Sequence, residues 1–110
     1  MNLLNRGFIS IKPKKEFLEW KHSVLKEELI EPESPEPTIY LIEDEFWDED
    51  EILKKYFNKI AKQEFNAISE SSESWPKMGD VEQFSKYFDS EFGTFVFDLL
   101  KTPINSDKMD

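Results

Sequence analysis

From Asp48 to about Ile68 the residues Ile52, Leu53, Tyr56, Phe57, Ile60, Ala61 and Phe65 fall every three or four positions, the spacing of one helical face. A stripe so rich in rings must be covered by other parts of the chain to leave water. Asp48 is placed to cap the first turn, with Glu51 three residues on in the capping-box position. Trp47 before the cap and Ile52 after it are spaced as a hydrophobic staple. This helix is the clearest element of the sequence.

The remaining segments are shorter. Phe8–Lys12 alternates and reads as a strand, and Pro13 is suited to the first position of a helix that carries Phe17, Leu18, Trp20, Val24 and Leu25 as far as about Glu28. Glu31–Pro37 holds three prolines among acids and reads as an extended connection. Thr38–Ile42 is apolar on both faces and predicts a buried strand. Ser69–Ser74 is a polar loop closing on Trp75-Pro76, and Asp80 with Gln83 opens a short helix bearing Val81, Phe84, Tyr87 and Phe88. Phe92–Leu100 predicts a last strand with Phe95, Phe97 and Leu99 on one face. The order β-α-β-α-α-β predicts one α+β domain over residues 1–101. Its sheet would be three-stranded and mixed, with the helices largely on one face, and the first two strands would be parallel across a helical crossover. Residues 102–110 are expected to form a disordered tail.

The 110 residues include 10 Phe, 3 Trp and 3 Tyr, enough ring area to close a core although 35% of residues are charged. There is no Cys, which rules out thiolate metal sites, Fe–S clusters, disulfides and cysteine nucleophiles. A reducing, cytoplasmic setting is the expectation, since neither a signal peptide nor an apolar run of ~20 residues is read. The formal charge is −10, and residues 31–53 account for all of it with ten acids and no base. Such a balance disfavours direct binding of nucleic acid or of anionic lipid. Isolated Gly7, Gly79 and Gly93 offer no phosphate-binding loop, a lone His22 is read as a surface residue, and no metal or cofactor is implied.

Several motifs occur in a characteristic order: Asn5-Arg6, Lys12-Pro13-Lys14, Phe17-Leu18-Glu19-Trp20, Ile39-Tyr40-Leu41-Ile42, Glu64-Phe65, Trp75-Pro76, Tyr87-Phe88 and Val96-Phe97-Asp98-Leu99. From Asn5 to Leu99 this order resembles a family of small acidic bacterial proteins with no assigned activity. The family carries aromatic residues near positions 61 and 68, where this chain has Ala61 and Ile68. The resemblance implies no catalytic role for any residue.

Two features remain as candidate sites. The run Glu43–Glu51 sets Asp44, Glu45 and Asp50 beside Phe46 and Trp47, a pattern suited to a basic protein partner, with Trp75 as a further aromatic anchor or a lid on the core. The run lacks the glycine and alternating ligands of a Ca²⁺ loop. On helical wheels Lys21 and Glu64 each fall inside an apolar stripe, which predicts an interhelical charged pair at a partly buried site. Lys12, Lys14 and Lys15 are expected to pair with the acidic segment. The favoured reading is a non-catalytic interaction or regulatory module. The alternatives are a nucleic-acid mimic or antitoxin-like inhibitor of a basic protein, and a small enzyme using carboxylates such as Glu64 with Lys21. Oligomeric state is left open.

Overall fold

The computed structural model describes residues 1–26 and 35–109. In chain order it comprises β1 (Asn2–Leu3), β2 (Gly7–Pro13), α1 (Lys15–Leu25), β3 (Thr38–Ile42), α2 (Glu49–Asn66), a 3₁₀ turn at Ser72–Ser74, α3 (Val81–Tyr87), β4 (Phe88–Gly93) and β5 (Phe97–Asp98). The architecture is α+β around a three-stranded sheet. The expected end of α1 near Glu28 and most of the Glu31–Pro37 connection lie outside the described residues.

The sheet has the order β3-β2-β4 and both pairings are antiparallel, with Ile9 opposite Tyr40 on one side and Phe92 on the other. The parallel pairing expected of the first two main strands is therefore corrected. Residues 26–37 separate α1 from β3, and twelve residues reach up to ~40 Å, so the chain can re-enter the sheet from either end. The handedness rule operates only once a parallel pair exists. Pro13 closes β2 opposite Phe88 and does not open α1. Its missing N–H costs little at a strand end.

Strand alternation puts Ile9 and Ile11, both fully buried, on the face that meets the helices, with Ile42, Phe88 and partly buried Tyr40 and Phe92 on the same side. Residues of the other face, Phe8, Ile39 and Leu41, lack a covering layer, and Ile39 and Leu41 are each about half exposed. Thr38–Ile42 is thus an outer strand buried on one face only, which antiparallel sheets permit. The Phe8 ring lies over Gly93, where a Cβ would come within 2.2 Å of it. Glycine there lets an aromatic ring lie flat on the sheet.

The last strand begins four residues before the expected Phe92. Helix α3 stops at Tyr87, whose carbonyl accepts from the Lys14 N–H at 2.8 Å, and Phe88 turns directly into extended backbone with φ −138° and ψ 139°. Beyond Gly93, β5 pairs with β1 in a register shifted by one residue relative to β2 and β4, the signature of an extra residue in the N-terminal strand. The continuous strand expected over Phe92–Leu100 is corrected: the chain leaves regular structure at Thr94–Val96, only Phe97–Asp98 forms a paired strand beyond Gly93, and Phe95, Phe97 and Leu99 are all exposed.

Helix α2 covers the sheet with Ile52, Leu53, Ile60, Ala61 and Phe65 buried. Asp48 caps it, accepting from the Asp50 N–H at 2.9 Å and the Glu51 N–H at 3.4 Å. Asp80 caps α3 by accepting from the Gln83 N–H at 2.8 Å. The staple forms differently: Trp47 is 99% exposed, and Phe46 instead packs toward Phe92, ring centroids 6.4 Å apart. Phe65 lies among Phe17, Trp20, Trp75, Tyr87 and Phe88, with centroid separations of 4.9–6.4 Å.

Phe65→Ala removes the ring shared by α1, α2, the Trp75 loop and β4, and is expected to cost about 3–5 kcal/mol in urea unfolding. Trp47→Ala is expected to change stability by less than about 0.5 kcal/mol. Equal effects of the two would contradict this core.

Candidate functional site

The acidic strip occupies the turn after β3 and the first turn of α2. Asp44, Glu45, Asp48, Glu49, Asp50 and Glu51 are all exposed, and Trp47 stands among them in full contact with water. Their placement follows from local rules: acids favour the positive end of a helix dipole, and Asp48 is held by its capping bonds. Of the aromatics expected beside the strip, Trp47 is free while half-buried Phe46 anchors the turn to the sheet. Trp75 lies elsewhere, half-buried against Phe65, with its indole N–H donating to the Ser69 carbonyl at 2.8 Å. The Trp20 indole N–H donates to the Ser74 carbonyl at 2.8 Å. Trp75 is thus a lid on the core.

The expected pairing of Lys21 with Glu64 does not form. The ion pairs among the described residues are Lys15–Glu19 at 3.8 Å and Lys55–Glu43 at 2.7 Å. Glu64, near the end of α2, accepts a hydrogen bond from the Tyr40 hydroxyl of β3 at 2.5 Å. The wheel placed Glu64 in the stripe correctly, but its neighbour there is the outer strand, where a phenol satisfies the carboxyl without a second charge. Lys21 is half-buried beside the core, where its methylene stem can lie along apolar surface. Of the Lys12–Lys15 patch, Lys15 pairs within its own helix and Lys14 Nζ donates to the Ser85 carbonyl at 2.8 Å, and among the described residues neither pairs with the acidic segment. His22 is half-buried, with Nδ1 enclosed and unpartnered, rather than a surface residue. Among the described residues no three His, Asp or Glu side chains are grouped to hold a metal ion.

A second phenol–carboxylate bond mirrors the first. Tyr56 of α2 donates to Glu43, just after β3, at 2.5 Å, and Lys55 Nζ donates to the same carboxylate at 2.7 Å. Tyrosine and glutamate thus exchange elements, so β3 and α2 are tied at two points. Sequence reasoning passed over this arrangement. The available signals were Tyr40 alternating with Ile42 and Tyr56 within the helical stripe.

The two carboxyls sit in opposite environments. Burial pushes Glu64 above the usual glutamate value against the pull of hydrogen bonds from Tyr40 and Thr38. Hydrogen bonds from Lys55 and then Tyr56 hold Glu43 down at about 2. Burial and the Glu64 hydrogen bond raise the Tyr40 phenol, and the Glu43 hydrogen bond raises Lys55 and Tyr56. Chemically, Glu64 is a carboxyl tied to a phenol with its proton affinity raised by burial, and Glu43 is a carboxylate hydrogen-bonded by a lysine and a phenol.

No family model, curated protein or solved structure matches this chain. The likeness to small acidic bacterial proteins rests on motif order alone.

These environments predict opposite pH responses. Glu43 is depressed, so its contribution is present above pH ~4.5 and is lost as pH falls toward about 2. Glu64 is raised, so the folded state holds its proton more tightly and stability falls as pH climbs from 4.5 through the raised value. Glu43→Gln is expected to flatten the acid limb of stability, and Glu64→Gln the fall above pH 4.5. Carbon-detected NMR titration of the two carboxyls checks the order directly, and midpoints in the reverse order would refute it.

Proposed function

We propose that this chain is a non-catalytic protein-interaction module that engages a basic partner through the acidic strip around Trp47. The observation that carries the reading is a tryptophan 99% exposed among exposed acids. A side chain of that size in water gains most when a partner covers it, and tryptophan is enriched among the residues that dominate binding energy. The acids supply the long-range part. Asp44, Glu45 and Asp50 create a negative field that speeds encounter with a positive surface and weakens as salt rises. Phe46, packed toward Phe92 at 6.4 Å, holds the turn in place beneath them, so the anchor is presented by a supported backbone.

The same charge disfavours a phosphate backbone as the ligand. An inhibitor that covers the nucleic-acid site of a basic protein is one form of this reading, distinguished by competition between the module and nucleic acid for that protein. A chain with no Cys is suited to a reducing compartment such as the cytoplasm. No helix among the described residues is long and apolar enough to cross a membrane.

The test is affinity capture from a bacterial lysate at low and high salt. The baits are the wild-type chain, Trp47→Ala, and the combined Asp44→Asn, Glu45→Gln and Asp50→Asn variant. The wild-type bait is expected to retain basic proteins at low salt and release them at high salt. Trp47→Ala is expected to weaken the dominant complex by roughly 30-fold, as for a binding hot spot. The neutralised variant is expected to slow association and lose the salt dependence. A retained set that is the same for all three baits would refute the reading.

A further inference from the structure

The sheet β3-β2-β4 carries its helices on one face. On the other face Phe8 of β2 lies opposite Leu41 of β3 and Gly93 of β4, and Ser10 lies opposite Ile39 and Glu91. Side chains at opposite positions project to the same side of a sheet. Phe8, Ile39 and Leu41 therefore form one apolar cluster on the open face. An antiparallel sheet can leave one face to water, but the positions that meet water are then ordinarily polar. Here polar side chains hold only the far end of that face, where exposed Lys12 lies opposite exposed Asp89.

The β1–β5 ribbon adjoins the apolar end. Leu3 and Phe97 are partners across the ribbon and both are exposed. The next residues inward, Leu4 and Val96, are joined by a backbone hydrogen bond of 2.8 Å and are half-buried. The side shared by Leu3 and Phe97 is thus the one turned away from the core, and exposed Phe95 and Leu99 flank Phe97. Leu3, Ile39, Leu41, Phe95, Phe97 and Leu99 are 51–74% exposed. Together they offer roughly 750 Å² to water, close to the ~800 Å² per partner that a standard specific interface buries. Apolar surface on that scale marks an interaction site.

We propose that this face is covered by a second copy of the chain, packed sheet against sheet about a two-fold axis. In such an interface the same residues meet on both sides, so an uncharged apolar cluster is met by one of equal size and like character. Lys12, Asp89 and Glu91 fall at its margin as a polar rim. The acids around Trp47 take no part in the contact, and their charge opposes it. Each copy carries a formal charge of −10, so two copies repel at low salt, and screening strengthens the pair. Salt thus acts on the pair in the opposite sense to its action on a basic partner at the acidic strip, and the two proposals stand or fall separately.

The test is sedimentation equilibrium of the full chain at low and high salt. The chain is expected to dimerise reversibly, with a Kd that falls as salt rises. Leu41→Lys and Phe97→Lys are each expected to weaken dimerisation at least about 10-fold. Both positions are about half exposed in the single chain, and urea unfolding at low concentration checks that each variant keeps its fold. A second measurement leaves the apolar residues intact and uses the absence of Cys. A nitroxide attached at Lys12→Cys, on the rim, is mixed with isotope-labelled wild-type chain. It is expected to broaden the amides of Phe8, Leu41 and Phe97 in the partner copy more than those of α2. A monomer at every concentration and salt, a dimer that dissociates as salt rises, indifference to both lysine substitutions, or broadening centred on α2 would each overturn the proposal.

Discussion

Everything in this molecule hangs on the burial of the Phe65 ring. It comes from the last turns of α2 and lies among Phe17 and Trp20 of α1, Trp75 of the following loop, Tyr87 at the end of α3 and Phe88 at the start of β4. These contacts join segments far apart in sequence, and tilted or edge-on rings add attraction beyond the area removed from water. With Phe65 fixed, the rotation of α2 is fixed too. Glu64 must then face β3, where the Tyr40 hydroxyl meets it at 2.5 Å. About two turns earlier on the same helix, Tyr56 meets Glu43. The polar ties between strand and helix are consequences of an aromatic lock.

The parts of this arrangement that were legible in the sequence are those set by local periodicity. The long helix, its Asp48 cap, the Asp80 cap and the central strand follow from residue spacing within a few turns. The placement of Glu64 within an apolar stripe was legible as well, because the wheel needs only the helix itself. What Glu64 meets was not, since that depends on which strand lies beneath. Tyr40 was read as part of a strand buried on both sides, whereas a sheet with helices on one face leaves Ile39 and Leu41 to water. Trp47 and Phe46 exchange roles for a similar reason. Both are large and apolar, and only the path of the turn after β3 decides which reaches Phe92. The last strand was displaced because nothing in the sequence between Tyr87 and Phe88 marks a helix end. The Lys14 N–H bonded to the Tyr87 carbonyl marks it, and that contact is long-range.

Charge is divided along α2. Its first turn is acidic, with Glu49, Asp50 and Glu51. Farther along, Lys59 and Lys62 border a groove between β3 and α2. Acids at the helix start agree with the dipole, so their position has a structural cause. An exposed tryptophan beside them has no such cause, because Phe46 already holds the turn. The described helix has no basic residue in its last turn, so the dipole does not account for the lysines along the groove. The proposal of a partner at Trp47 rests on this contrast between an exposed ring without a structural cause and acids that have one.

Native-state amide hydrogen exchange tests the central dependence directly. If the Phe65 ring locks α2 to the sheet, amides of β2 around Ile9 and Ile11 and of α2 from Ile60 to Phe65 exchange slowest and with the same free energy, as one cooperative unit. Exchange of the Ile60–Phe65 amides through local opening, at a free energy well below that of β2, would show that the helix is not locked and would contradict the account.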